Sequence, residues 1–243
     1  MKKAIIIGAT SGMGRSLAKL MVENDYLVGI TGRRIQLLEE IKAEKPESYR
    51  IKTFDITHSQ IIVQQLEELT LELGGLDILI LSSGTGDLNE KLDFETEKRT
   101  IDTNVSGFTA IVDWAFNYLI AQKHGHLVAI SSIAGLLGNS EAPAYSASKA
   151  YQINYLEGLR IKAAKIELPF FISDIRPGFV NTDMAKGQKL FWIASADKAA
   201  IQIFNAIQKK RKVAYITRRW VLIAFLFKYI PIRFLEILQR INH

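Results

Sequence analysis

No cysteine occurs in these 243 residues, and that one absence removes three chemistries. A disulfide framework, a thiolate nucleophile and a cysteine-bound metal all need the missing residue. Histidine is scarce too. His58, His124, His126 and His243 are scattered without a metal-ligand spacing, so no metal is expected, and His124-Gly125-His126 reads as a turn. The apolar stretch from Trp220 to Ile230 falls short of the ~20 residues that cross a bilayer. Met1-Lys2-Lys3 runs straight into a strand-length apolar run, too short for a signal core, so a cytoplasmic protein is the expectation. With 48% hydrophobic and 23% charged residues, the chain has the make-up of a globular protein able to bury a substantial core.

Short β-branched runs alternate with helical patterns along the chain. Strands are predicted near 3–7, 26–31, 50–54, 77–81, 126–131, 169–175 and 213–217, and helices over 12–24, 34–45, 58–73, 94–121, 144–166 and 197–210. Such alternation implies an α/β fold, a doubly wound, Rossmann-like parallel sheet of about seven strands with helices on both faces. Residues 1–217 form one domain in this reading, and 218–243 a helical extension rather than an independent domain.

Ala4-Ile5-Ile6-Ile7 leads into Gly8-Ala9-Thr10-Ser11-Gly12-Met13-Gly14, followed by a helical pattern in Leu17, Ala18, Leu20, Met21 and Val22. A strand, a glycine-rich turn and a helix start make a phosphate site. Glycine lets the backbone approach a pyrophosphate, and the helix N-terminus supplies N–H donors and a positive dipole end. The spacing is G-x-x-x-G-x-G, not the more general G-x-G-x-x-G.

Further along, Tyr145 and Lys149 lie one helical turn apart and point the same way. An ammonium beside a phenol favours the phenolate, so Lys149 is expected to lower the Tyr145 pKa and ready it as a proton donor to a carbonyl oxygen. Ser132, thirteen residues before the tyrosine, can hydrogen-bond the same oxygen.

The glycine spacing and the Tyr–Lys pair together resemble the short-chain dehydrogenase/reductase family, over roughly residues 3–217. The resemblance implies that Ser132, Tyr145 and Lys149 are catalytic, and that Asn104 on the central helix holds a water linking Lys149 to solvent. It implies a cofactor site built from Gly8, Thr10, Ser11, Gly12, Met13 and Gly14, from Asp55-Ile56 at the adenine, and from Ser82, Ser83 and Gly84 after the fourth strand. Tyr145 and Lys149 would touch the nicotinamide ribose, and Pro177, Gly178, Val180 and Thr182 would line the nicotinamide, with Thr182 on its carboxamide. The family usually has Asn-Asn-Ala-Gly where this chain has Leu81-Ser82-Ser83-Gly84; the glycine is kept and both asparagines are replaced.

The cofactor can be argued from the second strand. An NAD site places a carboxylate near that strand's end, on the ribose 2′-OH. Here Gly32 stands there and Arg33-Arg34 follow. Arginine makes bidentate, charge-assisted bonds to phosphate, so NADPH is the expected cofactor. The reaction implied is reduction of a ketone or aldehyde. A lipid-like 3-oxo substrate is one option, with Met184, Leu190, Phe191, Trp192 and Ile193 as apolar lining. The alternative is a cofactor-binding regulatory or scaffold protein with vestigial catalysis, docked through its tail.

The tail is the other unusual feature. Residues 209–243 hold nine Lys/Arg and one acid, Glu236, so the rest of the chain is net −2 against a total of +6. Apolar residues 220–227 sit among these charges, and a second amphipathic helix is expected from Pro231. A basic, aromatic-rich pair suits the inner face of a membrane, and equally a lid over the substrate or a subunit contact. Nucleic acid is excluded as a partner, because the cations interleave with large aliphatics. The resemblance also implies a homodimer or homotetramer paired through the helices near 94 and 144. Ile101, Val105, Phe108, Ile111, Val112, Ala115 and Leu119 suit either that pairing or packing on the sheet.

Overall fold

A computed structural model of the chain describes residues 1–182, 192–217, 219–227 and Arg233. The expected second helix from Pro231 and the side chains Met184, Leu190 and Phe191 lie outside the described residues.

Seven strands, β1 (Lys2–Ile7), β2 (Tyr26–Gly32), β3 (Tyr49–Thr53), β4 (Ile78–Leu81), β5 (Gly125–Ile130), β6 (Phe170–Pro177) and β7 (Val213–Ile216), form one sheet in the order β3-β2-β1-β4-β5-β6-β7. Every pairing is parallel. The first strand explains why. Ala4 and Ile6 point to one face and Ile5 and Ile7 to the other, and all four are buried, so each face needs a covering layer. Helices α1 (Gly12–Glu23), α2 (Ile35–Glu44) and α7 (Ala196–Gln208) bury Leu17, Met21, Leu38, Ile41 and Ile203 on the Ala4/Ile6 side. On the Ile5/Ile7 side, α3 (Ser59–Leu73), α5 (Phe108–Ala121) and α6 (Pro143–Ala163) contribute Ile62, Leu66, Ile111, Val112 and Leu156. Each such side chain, fully buried, stabilises by about 1.5–3 kcal/mol.

The strand order reverses between β1 and β4. Loops leaving neighbouring strands there diverge to opposite faces, which opens a crevice at the carboxyl edge. Gly8 follows β1 and Ser82 follows β4, so both stand at that crevice.

Two local expectations are corrected. The predicted helix 94–121 is broken: α4 (Phe94–Ile101) is followed by a π-helical turn, Asp102–Gly107, and then by α5. A Cβ on Gly107 would collide with the Ile56 carbonyl, so this helix comes against the loop after β3 at close quarters. The widened turn holds Asn104. Second, Gly125 and His126 begin β5 rather than a turn; His126 is buried on Ser173 Oγ at 2.7 Å. Of the face left open between subunit pairing and sheet packing, Phe108, Ile111, Val112, Ala115 and Leu119 pack on the sheet, while Ile101 is exposed.

A further helix, α8 (Trp220–Phe227), follows β7. It puts Trp220, 1% exposed, onto Gly178, with Phe179 edge-on at 5.4 Å and Trp192 edge-on at 5.9 Å. Val221, Leu222, Phe225 and Leu226 face outward. The tail's cations are therefore split. Lys209–Lys212 come before β7, and Arg219 comes after it. Among the described residues, no helix is long and apolar enough to cross a membrane.

Candidate active site

The crevice at the sheet reversal is a cleft of about 790 Å³. One wall is the glycine loop, residues 8 and 10–13; the others are Gly32–Arg34, Phe54–Thr57, Ser82–Asp87, Arg99 with Asp102 and Thr103, and Thr182. The loop is as tight as its glycines suggested. Gly8 has φ +85 and lies so close to Ser83 that a Cβ would sit 2.7 Å from the Ser83 Cα. A Cβ on Gly14 would run into the Gly8 carbonyl.

At the end of β2 there is a steric reason for the missing acid. A Cβ on Gly32 would lie 2.5 Å from the Thr10 methyl. The two arginines then separate. Arg34 Nη2 donates to Thr10 Oγ1 at 2.8 Å and to Ser11 Oγ at 3.0 Å, which holds its guanidinium on the rim of the glycine loop. Arg33 points outward and pairs with Asp55 at 3.5 Å. Asp55 also accepts from Thr57 N and Oγ1, both at 2.9 Å. Burial pushes the Asp55 carboxyl up, but the Thr57 bonds and Arg33 outweigh it and hold the group below its ordinary range.

The residues expected to catalyse lie beside the cleft rather than in its lining. Ser132 ends the segment after β5, and its Oγ accepts from Ala134 N at 3.1 Å, capping a short 3₁₀ turn, Ile133–Leu136. That turn packs on α6 through Gly135, where a Cβ would lie 2.5 Å from the Lys149 backbone. This contact sets Ser132 against the helix carrying Tyr145 and Lys149. Gly86 lies against the Tyr145 ring, with no room for a Cβ. Burial raises the phenol pKa, with Ser132 opposing the rise; the bond that Ser132 Oγ donates goes to the Pro177 carbonyl at 3.5 Å.

Lys149 is 4% exposed. Its Nζ stands 5.8 Å from the centre of the Tyr145 ring and donates to the Ile130 carbonyl at 3.2 Å and to Gln152 Oε1 at 3.0 Å. Direct depression of the Tyr145 pKa by Lys149 is therefore not what this structure shows. The ammonium's bonds go to Ile130 and Gln152, and burial draws its own pKa down to about 8, with Asp174 opposing. Asn104, wholly buried, accepts from Thr85 N at 2.9 Å and donates to the Thr85 carbonyl at 2.6 Å and to Ser148 Oγ at 3.0 Å. Asn104, expected to hold a water linking Lys149 to solvent, has its backbone carbonyl joined to Lys149 by the Gln152 side chain.

Gly8, Thr10, Ser11, Gly12, Met13, Arg33, Arg34, Asp55, Ile56, Ser82, Ser83, Gly84 and Thr182 thus line the cleft. Gly14 stands directly behind the loop, against Gly8. Ser132, Tyr145, Lys149, Asn104, Pro177, Gly178 and Val180 lie outside the lining. The backbone of Gly86 stands between the two groups, touching the Tyr145 ring on one side and the cleft on the other. Two contacts were not read from the sequence: Gln152 on Lys149, three residues along the same helix, and Trp220 on Gly178, which is non-local.

A doubly wound parallel sheet with a glycine-lined cleft at its reversal, and a Ser–Tyr–Lys set beside that cleft, defines a dinucleotide-binding oxidoreductase. The chain belongs to the short-chain dehydrogenase family, whose pattern it matches over residues 2–190. An uncharacterised oxidoreductase of Myxococcus xanthus is 31% identical over 188 residues, covering 75% of this chain and 74% of the relative. Among solved structures, a Streptomyces avermitilis short-chain dehydrogenase superposes with a TM-score of 0.81 at 22% identity, covering 93% of this chain and 91% of the other. The actinorhodin polyketide ketoreductase with NADPH gives a TM-score of 0.77 at 19% identity, covering 88% of this chain and 95% of the other.

The family binds nicotinamide cofactors, and the residues present fit one. The cleft has backbone cradles at Gly8 and Gly12, where a Cβ would strike Ser83 and Thr182 respectively. Among the described residues Ser83 Oγ is buried with no hydrogen-bond partner, a spare polar group at the cleft wall.

Proposed function

We propose that this protein is an NADPH-dependent reductase of ketones or aldehydes, with a lipid-like 3-oxo compound as its substrate class. The observation that carries the reading is the Tyr145–Lys149 pair on one face of α6, Nζ 5.8 Å from the ring centre, with the Ser132 turn packed on the same helix next to the glycine-lined cleft. NADPH, when bound, supplies the hydride. Gly8–Gly14 and Ser83 hold the dinucleotide, Arg34 takes the 2′-phosphate, and Thr182 lies at the nicotinamide end. Ser132 orients the substrate oxygen and Tyr145 donates its proton there. Burial favours the neutral phenol, which is the form a general acid needs. Trp192, Ile193 and the outward face of α8 support an apolar substrate, since they give apolar surface beside the Pro177–Thr182 segment. The test is NADPH oxidation by the purified protein against carbonyl compounds, from small diketones to a detergent-dispersed long-chain 3-oxo lipid. Failure of every compound in the presence of bound NADPH would defeat the reading.

The NADPH preference rests on Arg34. Charge-assisted bonds contribute about 1.5–3 kcal/mol. Arg34→Ala is therefore expected to weaken NADPH binding by roughly ten- to a hundredfold and to leave NADH binding nearly unchanged. Titrations of both cofactors, followed by their fluorescence, check this. Equal weakening of the two would remove Arg34 from the 2′-phosphate.

We also propose that α8 lies on an anionic membrane surface. Exposed Leu222, Phe225 and Leu226, with Arg219 at the helix start, support the contact. Flotation with phosphatidylserine vesicles is expected to recover the protein, and Leu222→Glu/Phe225→Glu to release it. Equal recovery of both forms would refute the contact.

A further inference from the structure

Helix α6 carries a buried amide to which the reaction above gives no role. Gln152 is 1% exposed and follows Lys149 by three residues on the same helix face. Its Oε1 accepts from Lys149 Nζ at 3.0 Å, and its Nε2 donates to the backbone carbonyl of Asn104 at 2.9 Å. Both ends agree on the amide's orientation, since a flipped amide would set NH₂ against the ammonium and oxygen against oxygen. Asn104 is itself clamped to the Thr85 backbone and to Ser148. A continuous hydrogen-bonded connection therefore runs from the loop after β4, through the π turn, to Lys149.

A buried amide costs free energy unless both ends are paired. The same helix fills its inner face one turn later with Leu156, wholly buried in the core. An aliphatic side chain at 152 would be the cheaper filling, so the amide's use lies with the cation beside it. A lysine ammonium has three N–H groups. Ile130 and Gln152 accept two of them, which leaves one.

We propose that Gln152 is a positioning residue for Lys149: tethered on the Asn104 carbonyl, it takes one ammonium N–H and thereby fixes where the remaining donor points. The proposal rests on Lys149 belonging to the reductase site. A neutral amide is a poor relay for protons, so the Asn104–Gln152–Lys149 connection acts as a brace. The other groups facing the ammonium are Asp174 on β6, which favours its charge and is itself paired with Arg176 at 2.7 Å, and the Tyr145 ring on α6.

The sign of the test follows from the bond. Removing an acceptor from a buried ammonium disfavours the charged form, and placing a carboxylate there favours it. The experiment is an NMR titration of the Lys149 side chain in the protein without cofactor, assigned by its loss in Lys149→Met. Gln152→Leu is expected to raise the acid constant of Lys149 about tenfold, and Gln152→Glu to lower it by a similar factor. The alkaline limb of kcat with NADPH is expected to move in the same two directions. Both variants titrating like the wild type would overturn the proposal, even if Gln152→Leu melts earlier, because Gln152 would then only fill space. If Gln152→Leu fails to fold, the near-isosteric Gln152→Glu decides alone. The titration needs no substrate. Shifted titrations without turnover by the wild type would sink the reductase reading and leave the brace standing; turnover with unmoved titrations would do the reverse.

Discussion

Tyr145→Phe is expected to lower kcat for carbonyl reduction about 10²–10⁴-fold while NADPH affinity stays nearly the same. The size follows from what the hydroxyl does. Reduction leaves negative charge on the substrate oxygen, and a positioned acid must neutralise it as it forms. Tyr145 is the group placed for this, on the helix face it shares with Lys149 and with the Gly86 backbone fixing its ring. The unchanged affinity follows from location, since Tyr145 lies outside the cleft lining and the deletion touches neither the glycine loop nor Arg34. Phenylalanine keeps the ring's packing on Gly86, so the variant should fold like its parent. Steady-state NADPH oxidation, with cofactor binding measured separately, tests both halves. A variant turning over within tenfold of the parent would show that the proton comes from elsewhere.

Such a prediction could be framed because the framework was legible in local pattern. Buried parallel strands must be apolar on both sides, so Ala4–Ile7, Leu27–Ile30 and Ile78–Leu81 announce themselves as continuous runs. The glycine loop is legible because its glycines serve backbone geometry, positive φ at Gly8 and Gly12 and contact at Gly14. The arrangement of the charged groups was not legible. Both Arg33 and Arg34 are basic and adjacent, yet one is used on Asp55 and the other on Thr10 and Ser11. Sequence shows that two cations follow β2, and only the turn's geometry decides which faces the loop.

The same limit applies to Lys149. Its spacing from Tyr145 places both on one helix face, but an ammonium acts where its hydrogen bonds hold it. Those partners come from β5 and from Gln152, whose other bond reaches Asn104, 48 positions earlier. The π turn around Asn104 is a third case. Helical periodicity runs through residues 94–121 without a visible break, and only the clash awaiting a side chain at Gly107 shows why the helix widens there. A glycine in mid-helix was the signal available.

Trp220→Ala should cost about 3–5 kcal/mol, lowering the melting temperature by roughly 6–20 °C. Trp220 is 1% exposed and packs edge-on against Phe179 and Trp192, so its removal leaves a cavity that these two aromatic neighbours fill only in part. The more discriminating expectation concerns its partner. Gly178 has no room for a Cβ because the indole stands there, so Gly178→Ala alone should be destabilising by about 1–3 kcal/mol through overpacking. Once the indole is gone, the added methyl has space. The double variant should therefore be more stable than the sum of the two single losses, by about 0.5–3 kcal/mol, the coupling found for residues in contact. Thermal or denaturant melts of the four proteins measure it. Strict additivity would mean that α8 does not rest on the Pro177–Gly178 turn in solution. Coupling would mean that the apolar helix following β7 braces the segment that resembles the nicotinamide wall, and that cofactor affinity in the Trp220 variant should fall with stability.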